Sequence, residues 1–358
     1  MKAIKFDNEA DKIKDFLSLP KKLYGKDNNT ENASDVEKML KGEHPLSKYF
    51  TLTKWVIYDE ANKPAARFAI TEYPNEKSAY LGYYECIDND EAAKCVFDTA
   101  YEFAAEKGYE KIEGPIDTSF WVKYRLKINK FDCKPYTGEP YNLEYYFKQF
   151  KDNGFEVEEH YTSQEFGVSD GIIEQFDERL KKFSEAGYEI VSPAVEDFDK
   201  VVGELYDLIS VLYSDFPIYK EVSKEDFATV FKDYKTIANM QMVKMAYYNK
   251  QAVGFYVSIP NYGNLVYHTG NPFNLIKIMK IKKKLKDYVM LYMGVDQNHR
   301  GLGKALVGSI VRELTELKVP SIGALTKDGK LTQNYAEDKI ESRYEYVLLG
   351  KNINKQES

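Results

Sequence analysis

The chain has 358 residues, 43% of them hydrophobic and 30% charged, a globular composition in a length that exceeds what one hydrophobic core usually serves. Its net charge of -7 and pI near 5.4 argue against a general nucleic-acid or anionic-membrane binder. Three cysteines without a C-x-x-C pair fit free thiols in a reducing compartment, and with no apolar leader or long uncharged apolar run the reading is a soluble, cytoplasmic protein.

In chain order, periodicity predicts helices within residues 8–41, broken by a loop near Gly25 to Thr30. Strands follow at 54–58, 65–73 and 79–87, separated by the turn formers Asp59 to Pro64 and Pro74 to Lys77. A helix over 91–107 stops at Gly108, and 111–115 reads as a strand. Residues 117–140 look irregular, 143–153 helical up to Gly154, and 155–166 form one or two closing strands.

The second half starts near Gly167 with a charged amphipathic helix over 172–185, read as a connector. A strand at 188–192, helices at 197–213 and 223–236, and a hairpin of 242–248 with 252–259 come next. An insert over 261–286 carries the lysine-rich run Lys277 to Lys286, whose plain reading is a solvated amphipathic helix, with a lid over an acceptor or an anionic docking site as alternatives. The strand 287–295, a glycine loop, a helix over 304–318, a strand at 321–326, a helix at 330–339 and a strand at 343–350 end the chain. The two halves repeat one order of elements, which predicts a structural duplication with domains 1–166 and 167–358.

The most informative stretch is Val295 to Leu306. A buried strand leads into a loop containing Arg300, Gly301 and Gly303, and a helix leads out with apolar residues at 306, 310, 314 and 317. Such a loop brings backbone N–H groups to a helix N-terminus, where the dipole and unpaired donors favour phosphate. The pattern Arg300-x-x-Gly303-x-Ala305 resembles the phosphate-binding signature of the GNAT (acyl-CoA N-acyltransferase) superfamily.

That resemblance implies an α/β fold with a mixed (α+β) sheet, as two tandem GNAT-like domains. Acetyl-CoA or another acyl-CoA would be the co-substrate, held by Arg300, Gly301, Leu302, Gly303, Lys304 and Ala305 at its pyrophosphate. Met293, Gly294 and Val295, on a strand splayed from its neighbour, would hold the pantetheine arm, and Gly294 suits a bulge or a close backbone approach. A backbone N–H there would polarise the thioester carbonyl. Seven residues past Asp328, where many GNAT chains have Asn, Tyr335 matches the tyrosine that protonates the departing thiolate. The usual Gly-Phe after that helix is replaced by Lys339-Ile340.

In the first half, Asn142 and Gly154-Phe155 resemble the same tail motif, but the loop position reads Ile87-Asp88-Asn89-Asp90-Glu91. Without glycine and with three acids it would repel phosphate, so the first domain reads as a degenerate copy. The expected activity is acyl transfer to a small-molecule or peptide amine in a ternary complex, reached past residues 213–219 and the insert. The expectation includes no nucleic-acid partner, no membrane partner and, with four scattered histidines, no metal site. The sequence names no base for the amine: Asp296 and Asp215 are only nearby carboxylates in sequence, and a water chain would serve as well. Two rivals are a non-catalytic acyl-CoA-binding protein and a Fem-type aminoacyl-tRNA-dependent transferase.

Overall fold

A computed structural model describes residues 1–169, 171, 174–216, 218–329 and 336–353. The chain forms two compact units, but not as consecutive halves. One comprises Met1–Pro135, Pro140–His160 and Glu345–Ser358; the other comprises Tyr136–Glu139 and Tyr161–Tyr344. The expected division after residue 166 missed this exchange because strand pairing, not sequence order, decides membership.

In the first unit, strands β1 (Lys2–Phe6), β2 (Thr51–Tyr58), β3 (Pro64–Glu72) and β4 (Ser78–Cys86) pair antiparallel in sequence order. Helices α1 (Ala10–Tyr24) and α2 (Ala33–Lys41) lie between β1 and β2, and α3 (Asp90–Glu106) follows β4. Strand β5 (Lys111–Gly114) then returns parallel to β4. Short strands β6 (Ile116–Asp117), β7 (Lys123–Tyr124) and β8 (Leu126–Lys127) occupy the stretch that looked irregular, and α4 (Tyr146–Asp152) precedes β9 (Glu156–Phe166).

Period-two alternation on β2 divides the first core between two faces. Trp55 and Ile57 join the cluster of Phe68, Val96, Phe97 and Phe150 beneath α3, while Val56 and Tyr58 join Phe16, Met39 and Leu40 beneath α1 and α2. The sheet of this unit is closed by the end of the chain, where residues 349–352 pair antiparallel with β5.

The second unit repeats the plan. After α5 (Glu174–Glu185) come β10 (Tyr188–Val191), α6 (Phe198–Leu212), α7 (Lys224–Phe231) and α8 (Tyr234–Ile237), the last two in place of one expected helix. Strands β11 (Val243–Tyr248) and β12 (Gln251–Pro260) form the expected hairpin, with Asn249 and Lys250 both at positive φ in its turn. Helix α9 (Pro272–Lys283) lies in the insert, followed by β13 (Tyr288–Val295), α10 (Leu302–Leu317), β14 (Ser321–Lys327) and β15 (Ile340–Asn352). Strands β10 to β13 are antiparallel, β13 and β14 parallel, and residues 161–166 of β9 close this sheet against β14. Each unit thus takes its closing strand from the other half of the sequence.

Candidate functional site

In the second unit the parallel pair β13–β14 is in register at three positions only, Tyr288 with Ser321, Val289 with Ile322 and Met290 with Gly323. Beyond them β13 runs on through Val295 and β14 through Lys327 without pairing to each other, so the strands part. Two irregularities mark the parting. An extra residue, Leu291, bulges β13 against β12, and Leu325 takes a positive φ of 59° where β14 slips its register with β9. Met293, Gly294 and Val295 remain bonded to β12 opposite Tyr256, Phe255 and Gly254, so their other edge faces the opening. An unpaired strand edge of this kind accepts an extended molecule with alternating amides.

Gly294 is a site of close approach rather than the bulge. A Cβ there would come within 2.6 Å of the Phe255 ring and 2.7 Å of the Leu212 side chain of α6. The hydroxyl of Tyr213, one residue past α6, donates to the Met293 carbonyl at 3.4 Å, which brings the 213–219 loop to the site. The first half also contributes. Gly138 donates its N–H to the Tyr267 hydroxyl at 3.2 Å, and a Cβ on it would sit 3.2 Å from Leu291. Nothing in the sequence periodicity signals that Tyr136–Glu139 belongs here, because the segment is neither helix nor strand.

At its far end β13 turns through a loop ordered by Asp296, which accepts from the Asn298 amide with its side chain (2.8 Å) and from the His299 amide with its carbonyl (2.9 Å). Asp296 is therefore engaged in building the loop. Gly301 has φ of 90°, which a side chain would strain, and α10 begins at Leu302, two residues earlier than expected. Leu302, Gly303 and Ala305 are buried, so only their backbone can meet a ligand; Arg300 is exposed and Lys304 half-buried, with its Nζ 3.4 Å from Gln175 Oε1. The Leu302 and Lys304 amides make turn bonds to the carbonyls of His299 and Gly301, both 3.2 Å. Among the described residues, the amides of Gly301 and Gly303 have no partner.

This helix end has no acid in its first turn, and a cation lies beside it: Arg179 Nη1 is 3.8 Å from where a Gly301 Cβ would stand. Arg179 comes from α5, which packs so tightly on α10 that a Cβ on Gly308 would be 2.7 Å from the Phe176 carbonyl. The 172–185 stretch is thus more than a connector. Its Phe176, Leu180 and Phe183 spacing was the signal that it covers another helix. His299 is held by the Tyr188 hydroxyl on its Nδ1 (2.8 Å) and packs edge-on against the stacked pair of Tyr188 and Tyr248. Tyr335 and most of the expected 330–339 helix lie outside the described residues; a 3₁₀ turn occupies Glu337–Lys339.

The corresponding place in the first unit is closed. Strands β4 and β5 also pair at three positions, Ser78 with Lys111 through Tyr80 with Glu113. Here, however, the chain folds back after β5, and β6 lies in the gap: a Cβ on Gly82 would overlap the Ile116 carbonyl oxygen. The Tyr83 amide, at the same register as Met293, is taken by the Asp117 carboxylate at 2.5 Å. Helix α3 is capped by the Asn89 side chain, which accepts from the Ala92 amide at 2.8 Å, and Asp90 and Glu91 stand in its first turn. Behind Tyr83, Arg67 is fully buried, pairs closely with Glu31, and lies 3.9 Å from Glu85. Burial pushes the Glu85 carboxyl up to about 7, outweighing the Arg67 charge and the Tyr146 hydroxyl, which both pull it down. Burial raises Asp117 in the same direction.

No family model matches the chain, and no curated protein does. Solved structures do. A tandem GNAT protein from the clavulanic acid biosynthesis pathway aligns over 99% of this chain and 98% of its own, at 12% identity and a TM-score of 0.54. The fold is that of a tandem GNAT protein. A GCN5-related N-acetyltransferase from Kribbella flavida (TM-score 0.51, 9% identity, 98% of this chain and 72% of that one) shares it. So does a conserved protein of unknown function from Enterococcus faecalis V583 (0.52, 10%, 99% and 73%). Identities this low speak for the fold alone. No helix among the described residues is long and apolar enough to cross a membrane, and no group of three or more His, Cys, Asp or Glu there is placed to hold a metal ion.

Proposed function

We propose that the second unit of this tandem GNAT fold binds an acyl-CoA, with acetyl-CoA the first choice, and passes the acyl group to an amine in a ternary complex. The observation that carries this reading is the parting of β13 from β14 where β13 runs into a helix with open glycine amides. The pyrophosphate would take the Gly301 and Gly303 amides, with charge from Arg300 and Lys304; the backbone of Leu302 and Ala305 completes the turn. The pantetheine arm would lie along Met293, Gly294 and Val295 as an added strand, and a backbone N–H there would hold the oxyanion as the amine attacks the thioester carbon. The attacking nitrogen would give up its surplus proton to water, the tetrahedral intermediate would expel the thiolate, and Tyr335 would protonate the thiolate and regain a proton from water. The first unit, on this reading, is a copy that no longer binds cofactor.

A thermal shift with acetyl-CoA and longer acyl-CoAs tests the cofactor claim. A ligand at 100 times its Kd stabilises the folded state by about 2.7 kcal/mol. No shift at millimolar acetyl-CoA, or an undiminished shift in Gly303→Glu, would overturn it. With binding established, a screen of amines separates a transferase from an acyl-CoA-binding protein without transfer, and Tyr335→Phe should then lower kcat.

A further inference from the structure

The net charge of -7 hides an uneven distribution. Between Asp233 and Asp287 the sequence has no acid and nine lysines. Six of them fall in 277–286, on or just after α9. This helix starts firmly, with Pro272 in its first turn and the Asn271 side chain accepting from the Phe273 amide at 3.0 Å, and it seats Ile278 in the protein. Its outward surface departs from the solvated face expected of it. Phe273 is 72% exposed, Ile276 53%, Met279 45% and Leu275 39%. Spacing of three residues sets Phe273, Ile276 and Met279 along one outer stripe.

The cations start among these residues at Lys277 and continue past the C-terminal end of the helix. Lys282 is committed to the protein, donating to the Thr236 carbonyl at 3.0 Å. Lys277, Lys280, Lys283 and Lys284 are exposed and make no ion pair among the described residues. Unneutralised lysines on an otherwise acidic protein call for an anionic occupant, and the adjoining aliphatic and aromatic side chains call for an apolar one. A single surface supplies both, in layers: headgroup phosphates over acyl chains.

We infer that α9 is a docking surface for an anionic lipid bilayer, with Phe273, Leu275, Ile276 and Met279 entering the headgroup–acyl boundary and Lys277, Lys280, Lys283 and Lys284 meeting the phosphates. An acidic protein partner would satisfy the lysines but is the poorer fit. Lysine is a point charge without the planar fork that reads individual carboxylates, and the four exposed apolar side chains have no polar group of their own to fix a register. Whole-chain charge gave the opposite expectation because it averages this stretch with the acidic remainder. The inference is independent of the acyl-CoA reading.

The test is co-sedimentation of the full chain with vesicles of phosphatidylcholine alone and of phosphatidylcholine mixed with phosphatidylglycerol. Binding is expected only to the mixed vesicles and should weaken at high salt. Lys280→Glu/Lys283→Glu should lower it by about tenfold or more, and Phe273→Ser/Ile276→Ser should lower it at low and high salt alike. All four side chains are exposed, so both variants should keep the parent circular dichroism and thermal midpoint. Absence of binding to mixed vesicles, equal binding by folded variants, or capture by an acidic polypeptide such as polyglutamate with no vesicle binding would each overturn the inference.

Discussion

The two units offer the same backbone device in an open and a closed form. In each, three antiparallel strands lead to a fourth that pairs in parallel with the next strand at three positions, and the fourth strand runs into a helix. Among the described residues of the second unit no strand pairs with the parted edge of β13, and the helix starts on glycine amides. The first fills the gap with Ile116 and Asp117, caps the helix with Asn89 and adds Asp90 and Glu91. The fifth residue of the two strands shows the difference most simply. Gly82 lies under a carbonyl of its own chain, whereas Tyr292 in the same register is 41% exposed. In the first unit the gap is thus filled by chain as well as flanked by acids.

That contrast can be broken or sharpened by experiment. The largest effect is expected from pH. Glu85 is raised from 4.5 to about 7 in the folded state, so folding favours its protonated form. Its contribution is fully present below the unfolded value and is lost as pH rises from about 4.5 to 7, a loss of about 3 kcal/mol. Denaturant unfolding across that range should show the decline, and Glu85→Gln should flatten it. A flat profile in the parent protein would mean that the filled gap carries no electrostatic strain.

Next in size is the Gly303→Glu variant, which should lose the whole acyl-CoA stabilisation of about 2.7 kcal/mol at 100 times Kd in the thermal shift. An equal ligand response after Asp90→Asn/Glu91→Gln is expected, since the first unit is closed by chain and not by charge alone. If removing these two acids created a second binding event in calorimetry, the closure would be electrostatic. Gly82→Ala should destabilise by about 2 kcal/mol, because its Cβ must displace backbone at Ile116. The matched substitution Tyr292→Ala in the open unit should cost less than about 1 kcal/mol in the same denaturant titration.

The element order of the chain was legible from periodicity and turn residues, including the duplicated plan and the strand–glycine–helix passage at 288–305. These are local properties: side-chain alternation, helix faces and the φ that only glycine tolerates are written residue by residue. The acids after Glu85 were equally plain. Helix α10 starting at 302 rather than 304, and α7 and α8 in place of one helix, are local errors at element ends, where capping geometry outweighs periodicity.

Other features depended on contacts between residues distant in sequence. The exchange of closing strands, the covering of α10 by α5 with Arg179 beside Gly301, and the arrival of Tyr136–Glu139 beside Leu291 are of this kind. So is the Asp117 carboxylate on the Tyr83 amide, 34 residues away. The sequence determined where the strand–glycine–helix turn forms, because that depends on one turn and its side chains. Whether the gap beside each such strand is open or filled was decided only by tertiary structure, because a strand edge is free or occupied according to what the rest of the chain brings to it.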